Sequence, residues 1–252
     1  MQLGITMVNR EELDNYCNNF LNVKNFKDYG PNGLQIEGSE TINKIVSGVS
    51  ANLDLIERAI EEKADAIFVH HGIFWENESN LITGAKRKKI ALLINNNINL
   101  FGYHLPLDDH PEVGNNIELG RILGIKKMKP VEDSYLWQGE LKTDLKSFSS
   151  LIERELGRAP QLFGEMKKSI NKIAWCTGGA QGFIDEAIKL KVDLFLSGEV
   201  SERTPASAKE NGITYISAGH HATERFGVQS LCNHLCSKFK LQHQFIEVDN
   251  SV

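Results

Sequence analysis

Cysteine is scarce in this 252-residue chain, and its spacing argues against a disulfide-stapled domain. No two cysteines form a C-x-x-C motif. In a chain of this length, such spacing does not resemble a disulfide framework, so a reducing compartment is the simpler interpretation. The cysteines are Cys17, Cys176, Cys232 and Cys236.

Long apolar runs are also absent, and no stretch approaches the length of about 18 residues that a membrane-spanning helix needs. Residues 1–17, MQLGITMVNREELDNYC, turn polar and acidic at once and lack the apolar core of a signal peptide. Positive charge is not in excess, since the formal net charge is −5. These features predict a cytoplasmic protein without membrane association, and they disfavour general binding to nucleic acid.

Short apolar strands alternate with amphipathic helices along most of the chain, which suits one large α/β domain or two small ones. This alternation predicts β-α-β units and a mostly parallel sheet. The predicted strands are 44–49, 66–69, 98–103, 172–176, 193–196, 213–217 and 244–248. The predicted helices are 10–21, 53–63, 84–95, 115–123, 145–156, 183–190, 205–209 and 222–239.

Two segments of this pattern resemble each other. KIVSGVSANLDLIERAIEEKADAIFVHHG, from Lys44, can be written over KIAWCTGGAQGFIDEAIKLKVDLFLSGEV, from Lys172, without gaps. Chance helical patterning could produce some of the identities, but the shared K-I start and K-x-D end favour a duplicated β-α-β unit. Matched pairs are Ile45 and Ile173, Ile56 and Ile184, Ala59 and Ala187, Ile60 and Ile188, Lys63 and Lys191, and Asp65 and Asp193.

Histidine and acidic side chains recur where the predicted strands end, which in open α/β sheets is the edge that binds ligands. Imidazole and carboxylate together suit divalent cations, and no cysteine accompanies them, which argues against a closed structural zinc site. The set fits two ions about 3.5–4 Å apart that activate a water between them. Its members are His70, His71, His104, Asp108, His220 and Glu224.

Two pairs within this set carry geometric conditions. Neighbouring strand residues point to opposite faces, so His70 and His71 share a site if the strand ends between them, which Gly72 would allow. His220 and Glu224 share a helix face if the helix has begun by His220. His104 and Asp108 have the same spacing, so HLPLD and HATE with its leading histidine form two copies of one module.

Several longer motifs resemble the YbgI-like family, whose members are often labelled "GTP cyclohydrolase 1 type 2 homologue". The match runs from about residue 28 to residue 248. The motifs are YGPNGLQIEG, VHHGIFW, YHLPLDDHPEVGNN, TGGAQGFID, SGEVSE and GHHATERFGV. The resemblance implies a three-layer α/β/α fold with a dinuclear metal centre, and ring-shaped homohexamers.

The resemblance also assigns residues. Glu224 would bridge two divalent ions in each subunit. His104 would lie in or beside the site, where we expect it to act in catalysis by transferring a proton. The metal could be Zn, Fe, Mn, Co or Ni. The implied metal ligands are His70, His71, Asp108, His220 and Glu224.

Other residues keep two interpretations each. Glu199 could cap a helix or serve the site, and His221 could orient a carboxylate or substrate from behind the ligands. The TGGAQG stretch, 177–182, could be a tight turn or a phosphate cradle. The GPNG stretch, 30–33, could be a turn or part of the cavity wall. Trp75 could stack on a base or pack beneath its loop.

We divide the chain into a first α/β half, 1–125, a connector with one helix, 126–170, and a second α/β half, 171–252, which together form one compact metal-binding unit. The function expected is a dinuclear metal-dependent hydrolase that acts on a small polar, including nucleotide-like, substrate through a metal-activated water. Two alternatives stay open. One is a cyclohydrolase that opens a purine-nucleotide ring, and the other is a non-enzymatic ring-shaped binding, adaptor or metal-handling protein.

Overall fold

The computed structural model describes residues 7–252 and has the predicted α/β fold. Its strands are β1 (Val8–Asn9), β2 (Gly33–Ile36), β3 (Thr41–Ile42), β4 (Lys44–Ser50), β5 (Ala66–His71), β6 (Asn99–Gly102), β7 (Lys126–Pro130), β8 (Trp137–Thr143), β9 (Gln161–Gly164), β10 (Ile170–Trp175), β11 (Leu194–Ser197), β12 (Thr214–Ser217) and β13 (Gln242–Phe245). Its α-helices are α1 (Arg10–Phe20), α2 (Leu53–Glu61), α3 (Gly84–Asn95), α4 (Leu105–Asp109), α5 (Asn115–Ile122), α6 (Leu145–Leu156), α7 (Ile184–Lys189), α8 (Arg203–Glu210), α9 (His220–Thr223) and α10 (Arg225–Phe239).

Two predictions concern chain ends and membranes. The absence of a signal peptide was predicted partly from residues 1–6, which lie outside the described residues. Across residues 7–252, no helix combines the length and apolarity that crossing a membrane requires.

The described chain divides into two compact units. Unit 1 comprises residues 7–114 and 227–249, and unit 2 comprises residues 115–226 and 250–252. The division into 1–125, 126–170 and 171–252 stays a prediction. The contact-based units differ from it, because they place β13 and most of α10 with the first half of the chain.

Unit 1 is built on a sheet with strand order β13-β4-β5-β6-β2. The first four strands are parallel, and β2 runs antiparallel to β6. Alternate residues enter different core clusters, as the period of a strand requires. Phe68 and Phe101 pack with α1 and α10, whereas Ile67 and Leu100 pack with α2 and α3. The sheet of unit 1 therefore lies between two helical layers.

Unit 2 repeats this arrangement on a sheet with strand order β7-β8-β10-β11-β12-β9. Its central strands β10, β11 and β12 are parallel, while the flanking strands pair antiparallel. Ile173 and Leu196 pack with α5 and α6, and Ala174 and Phe195 pack with α7 and α8. Each unit thus has the predicted three-layer α/β/α architecture.

The internal duplication is visible in equivalent contacts. Each unit contains the order strand-helix-strand-helix-strand, as β4-α2-β5-α3-β6 and as β10-α7-β11-α8-β12. Asp65 accepts two backbone N–H groups at the start of β4, at 2.8 and 2.9 Å. Asp193 accepts two at the start of β10, at 2.9 and 3.0 Å. Lys63 and Lys191, two residues earlier, both have φ of 54°.

The connector contains more regular structure than was predicted. Helix α6 has the predicted bounds, but residues 126–170 also contain β7, β8 and β9. β7 reads KKMKP and β9 has only four residues, so neither carries a clear period-2 signal. β7 pairs with β8 inside the connector, β8 also pairs with β10, and β9 pairs with β12. The helix predicted over 222–239 is confirmed as α10 with its predicted end, but it begins at Arg225, because Glu224 separates it from α9.

Candidate functional site

Three histidines of unit 1 lie close together at the carboxyl ends of β5 and β6. His70 and His71 are the last two residues of β5, and His104 follows β6 directly before α4. One ring nitrogen of each lies within 4.8 Å of the others. The ring centroid of His70 is 4.6 Å from that of His71 and 5.0 Å from that of His104. The three imidazoles could therefore hold one metal ion.

We predicted that His70 and His71 would share a site if the strand ended between them. That condition is wrong, because β5 continues through His71. Strand alternation fixes the directions of the Cα–Cβ bonds. An imidazole ring extends beyond its Cβ, and at the last residue of a strand it can lean past the end of the sheet. The two rings are therefore neighbours although they leave the strand on opposite faces.

His70 has the hydrogen bonding expected of a metal ligand. Its Nδ1 lies 2.9 Å from the backbone oxygen of Tyr103. Because a carbonyl oxygen can only accept, Nδ1 carries the hydrogen, and Nε2 is the nitrogen that could bind a metal. That Nε2 lies 3.5 Å from Oδ1 of Asp108, a buried residue of α4. In His71, Nδ1 lies 3.0 Å from Ser50 Oγ.

His104 is held by Asp28, a residue that the sequence did not single out. His104 Nδ1 lies 2.7 Å from Asp28 Oδ1. Asn32 Nδ2 and the backbone N–H of Leu105 donate to Asp28 Oδ2 at 2.8 and 2.9 Å. Burial raises the pKa of Asp28, but the hydrogen bonds from His104, Asn32 and Leu105 outweigh it, and the pKa is lowered overall. Asp28 directly precedes the YGPNG motif, which is the signal that could have drawn attention to it.

The GPNG loop, 30–33, lines a small cavity that Trp75 and His104 also line. Asn32 Oδ1 in this loop accepts the backbone N–H of His104 at 2.7 Å. Trp75 meets His104 edge to face, with ring centroids 5.1 Å apart. Tyr29 is 60% exposed and its ring centroid lies 6.2 Å from that of His104. Of the two interpretations of GPNG, the cavity wall is the one these contacts favour.

In unit 2, His220 and Glu224 meet at the carboxyl end of β12. His220 begins α9, and its Nε2 lies 3.1 Å from Glu224 Oε2. The helix has thus begun by His220, as the predicted pairing required. On its other side, His220 Nδ1 lies 2.7 Å from Glu199 Oε1.

Two carboxylates set the electrostatics of His220. Burial lowers the pKa of the ring, but the hydrogen bonds and charges of Glu224 and Glu199 outweigh this and raise the pKa to about 9. The surroundings therefore favour positive charge on or beside the imidazole. A divalent cation needs the same surroundings, so this donor set fits a metal.

The TGGAQG stretch of unit 2 packs against the same acidic group. Gly178 has φ of 67°, and its N–H donates to Thr223 Oγ1 at 3.0 Å. A Cβ at this position would overlap Oε1 of Glu224. The turn interpretation is thus favoured, and the turn leaves room for a candidate metal ligand.

The two histidine modules do not correspond residue for residue. Tyr103 and Ala218 hold the same place, because each donates its backbone N–H to the neighbouring central strand, at 3.0 and 2.8 Å. His104 therefore corresponds to Gly219, and His220 comes one residue later. HLPLD and the second module share a histidine followed by an acid four residues later, as predicted. The predicted alignment of the two modules is wrong by one residue.

The two other polar candidates in unit 2 differ in their contacts. Glu199 binds the ring of His220, so a contact with the site describes it better than a helix cap. His221 is buried, and its backbone N–H donates to Val252 O at 2.9 Å. The orienting role of His221 stays a prediction.

Duplicated α/β units, each with a histidine–carboxylate group at its strand ends, define an α/β protein with candidate metal-binding residues. The chain matches the model of the family described as Duf34/NIF3 (NGG1p interacting factor 3) over residues 8–251. It is 46% identical over 252 residues to "GTP cyclohydrolase 1 type 2 homolog" of Allochromatium vinosum, covering 98% of this chain and 99% of that protein. The protein of the same name in Escherichia coli K12 is 47% identical over 242 residues, with coverages of 95% and 98%. The chain belongs to the Duf34/NIF3 family.

Solved structures of related proteins have the same fold as this chain. The structure titled "Structural genomics, protein ybgI, unknown function" superimposes with a TM-score of 0.94 at 44% identity, covering 97% of this chain and 100% of that one. The protein TTHA1606 from Thermus thermophilus gives 0.91 at 31% identity, with the same coverages. Reduced HcgD from Methanocaldococcus jannaschii gives 0.84 at 23% identity over 97% and 100% of the chains, which shows a shared fold. The resemblance to the YbgI-like family is confirmed.

Proposed function

We propose that this protein is a hydrolase that uses two divalent metal ions per chain. The family supplies the expectation of a metal centre, and each unit supplies a group of nitrogen and oxygen donors that suits one. Glu224 would hold metal with the other ligands, and His104 would accept and pass on a proton. The proposed ligands are His70, His71, Asp108, His220 and Glu224.

The proposal rests on one observation, which is that the Nδ1 atoms of three histidines each face a hydrogen-bond acceptor. His70 Nδ1 faces a backbone carbonyl, and the Nδ1 atoms of His104 and His220 each face a carboxylate. Metal-binding histidines almost always use one ring nitrogen in this way and present the other to the ion. His70 and His220 are proposed ligands held in this way, and His104 is oriented in the same way for proton transfer.

The chemistry divides between the metals and the chain. When bound, the ions would supply Lewis acidity and lower the pKa of water. His104, fixed by Asp28, can accept a proton at Nε2 and pass it on. Tyr29 and Trp75 place aromatic surface beside His104, which suits a planar ring in the substrate. A small polar, nucleotide-like substrate fits this surface, and the name GTP cyclohydrolase 1 type 2 homolog, which the relatives carry, supports it.

Metal content and turnover test the proposal together. We would measure ions per chain after purification without chelator for wild type, Glu224→Gln and Glu140→Gln, a matched change in unit 2 at an exposed ion pair with Lys127. Wild type and Glu140→Gln are expected to retain about two ions per chain, and Glu224→Gln at most about one. The loaded protein is then assayed on nucleotides, phosphoesters and amides.

The outcomes separate the alternatives. Formate release from GTP would identify ring opening, whereas release of phosphate or amine would identify another hydrolysis. Two ions with no turnover would support the binding or metal-handling alternative. Failure to bind ions even when metal is added would contradict the central claim.

We also propose that the protein is a cytoplasmic homohexamer, on the basis of its family. Sedimentation of the same preparation is expected to give six times the chain mass of 28.2 kDa. A monomeric mass at micromolar concentration would contradict the hexamer.

A further inference from the structure

We propose that Asp28 and Glu199 are positioning residues, which fix the ring orientations of His104 and His220 through their Nδ1 atoms. The part of this proposal that concerns metal affinity rests on the proposed function. The part that concerns ring orientation does not depend on it.

Asp28 is itself held rigidly. Its side chain is 3% exposed. Oδ1 accepts the N–H of Tyr29 at 2.7 Å in addition to the bond with His104. Oδ2 accepts from Asn32 and from the backbone of Leu105. Because two of these donors are backbone groups, the carboxylate cannot turn without breaking several hydrogen bonds, and the ring bound to it is directed accordingly.

Glu199 makes the corresponding contact in unit 2 through different geometry. Its Oε1 accepts from His220, and its Oε2 lies 3.3 Å from Nε2 of Gln181. Gln181 belongs to the TGGAQG stretch, so the turn that makes room for Glu224 also supports Glu199. The ring of His220 is thereby held between two carboxylates, with Nε2 directed to Glu224.

The duplication does not explain why the contact occurs twice. Glu199 stands at the repeat position of His71, two residues after the end of β11. Asp28 comes from the loop before β2, outside the repeated segments. The two units therefore reach the same carboxylate–histidine contact from positions that do not correspond. Because two positions that do not correspond supply the same contact, we infer that each histidine needs a carboxylate at Nδ1. A metal ligand or a proton-transfer ring needs such a fixed orientation.

Stability gives a weak reason for either contact. Partly exposed ion pairs such as Glu199 with His220 contribute little to folding. A buried pair such as Asp28 with His104 loses much of its attraction to desolvation. Positioning of the ring accounts for both contacts.

The first test measures zinc affinity by competition with a chromophoric chelator. Glu199→Gln keeps the shape of the side chain and removes its charge. Asp144→Asn is the matched control, since Asp144 caps α6 through Ser147 and asparagine caps equally well. Glu199→Gln is expected to bind zinc about 10- to 100-fold more weakly, because His220 is a proposed ligand, with the control within about twofold of wild type. Glu199→Gln within twofold of wild type overturns the assignment of Glu199, and Asp28 is decided by the ring orientation of His104.

The second test needs no metal. Crystal structures of metal-free wild type, Asp28→Ala and Glu199→Ala would show whether the ring of His104 or His220 changes orientation when its carboxylate is removed. We expect a rotated ring or two alternative orientations. An unmoved ring overturns the proposal for that histidine. If wild type binds no zinc, the proposed function fails, and the ring orientations still decide the positioning roles.

Discussion

Gly178 and Gly212 show how the surroundings of a single residue decide its importance. Both lie in unit 2, and both have left-handed backbone conformations, with φ of 67° and 65°. A Cβ on Gly178 would overlap a carboxylate oxygen of Glu224, whereas a Cβ on Gly212 would meet open space. The two backbone conformations are alike, and the difference between the positions arises from a residue 46 positions away from Gly178 in the chain.

Alanine at the two positions should therefore separate backbone strain from damage to the site. Gly212→Ala should cost about 1–2 kcal/mol through its left-handed conformation and leave metal content unchanged. Gly178→Ala should cost at least as much and also lose bound metal, because Glu224 is displaced. Thermal unfolding and metal analysis of both variants check this. Equal metal content in both variants would contradict the role given to Gly178.

At the scale of elements, β13 pairs with β4 and carries one histidine that contacts both β4 and α10. His243 Nε2 lies 2.7 Å from Ser47 Oγ in β4, and Nδ1 lies 3.0 Å from Asn233 Oδ1 in α10. The amide oxygen accepts from Nδ1–H, and the Ser47 hydroxyl can donate to Nε2 of the neutral ring. Burial lowers the pKa of His243 to about 4.

This pKa predicts a dependence of stability on pH. The folded pKa lies below the unfolded value of about 6.5, so the unfolded chain binds the proton more readily. Stability from His243 is present above about pH 6.5 and is lost as the pH falls toward about 4. Between about pH 7.5 and about pH 5, wild type should lose on the order of 1–2 kcal/mol more unfolding free energy than His243→Gln. Urea unfolding at both pH values measures this, and parallel losses in the two proteins would refute it.

At the scale of the whole molecule, the candidate ligands link metal binding to folding. An ion that binds the folded chain and not the unfolded chain raises stability by an amount set by its concentration and affinity. The donors come from strand ends and helix starts far apart in the sequence, and unfolding separates them. The metal should therefore act on stability as well as on chemistry.

Removing the metal should lower the melting temperature. At a free zinc concentration about 100 times the dissociation constant, the free energy of unfolding should exceed that of the metal-free protein by about 2.7 kcal/mol. Scanning calorimetry with zinc and after chelation measures it. Glu140→Gln should keep the shift and Glu224→Gln should lose most of it. If zinc does not change the melting temperature of wild type, the folded chain does not form the proposed metal site.

The connector marks the limit of what local pattern can predict. Helix α6 has its predicted bounds because its amphipathic period is carried by its own residues. The neighbouring β7 reads KKMKP and forms only through pairing with β8. Short polar strands of this kind depend on partners that the local sequence does not encode.

The sequence by itself determined the α/β class, the duplicated unit and the identity of the candidate ligands. These follow from the period of apolar residues and from side-chain chemistry, which are properties of the chain. The tertiary structure decided that Asp28 and Glu199 hold the histidines, that His104 corresponds to Gly219, and that Gly178 must lack a side chain. Each of these depends on distances between residues remote in sequence, which are set only when the strands pair and the helices pack on them.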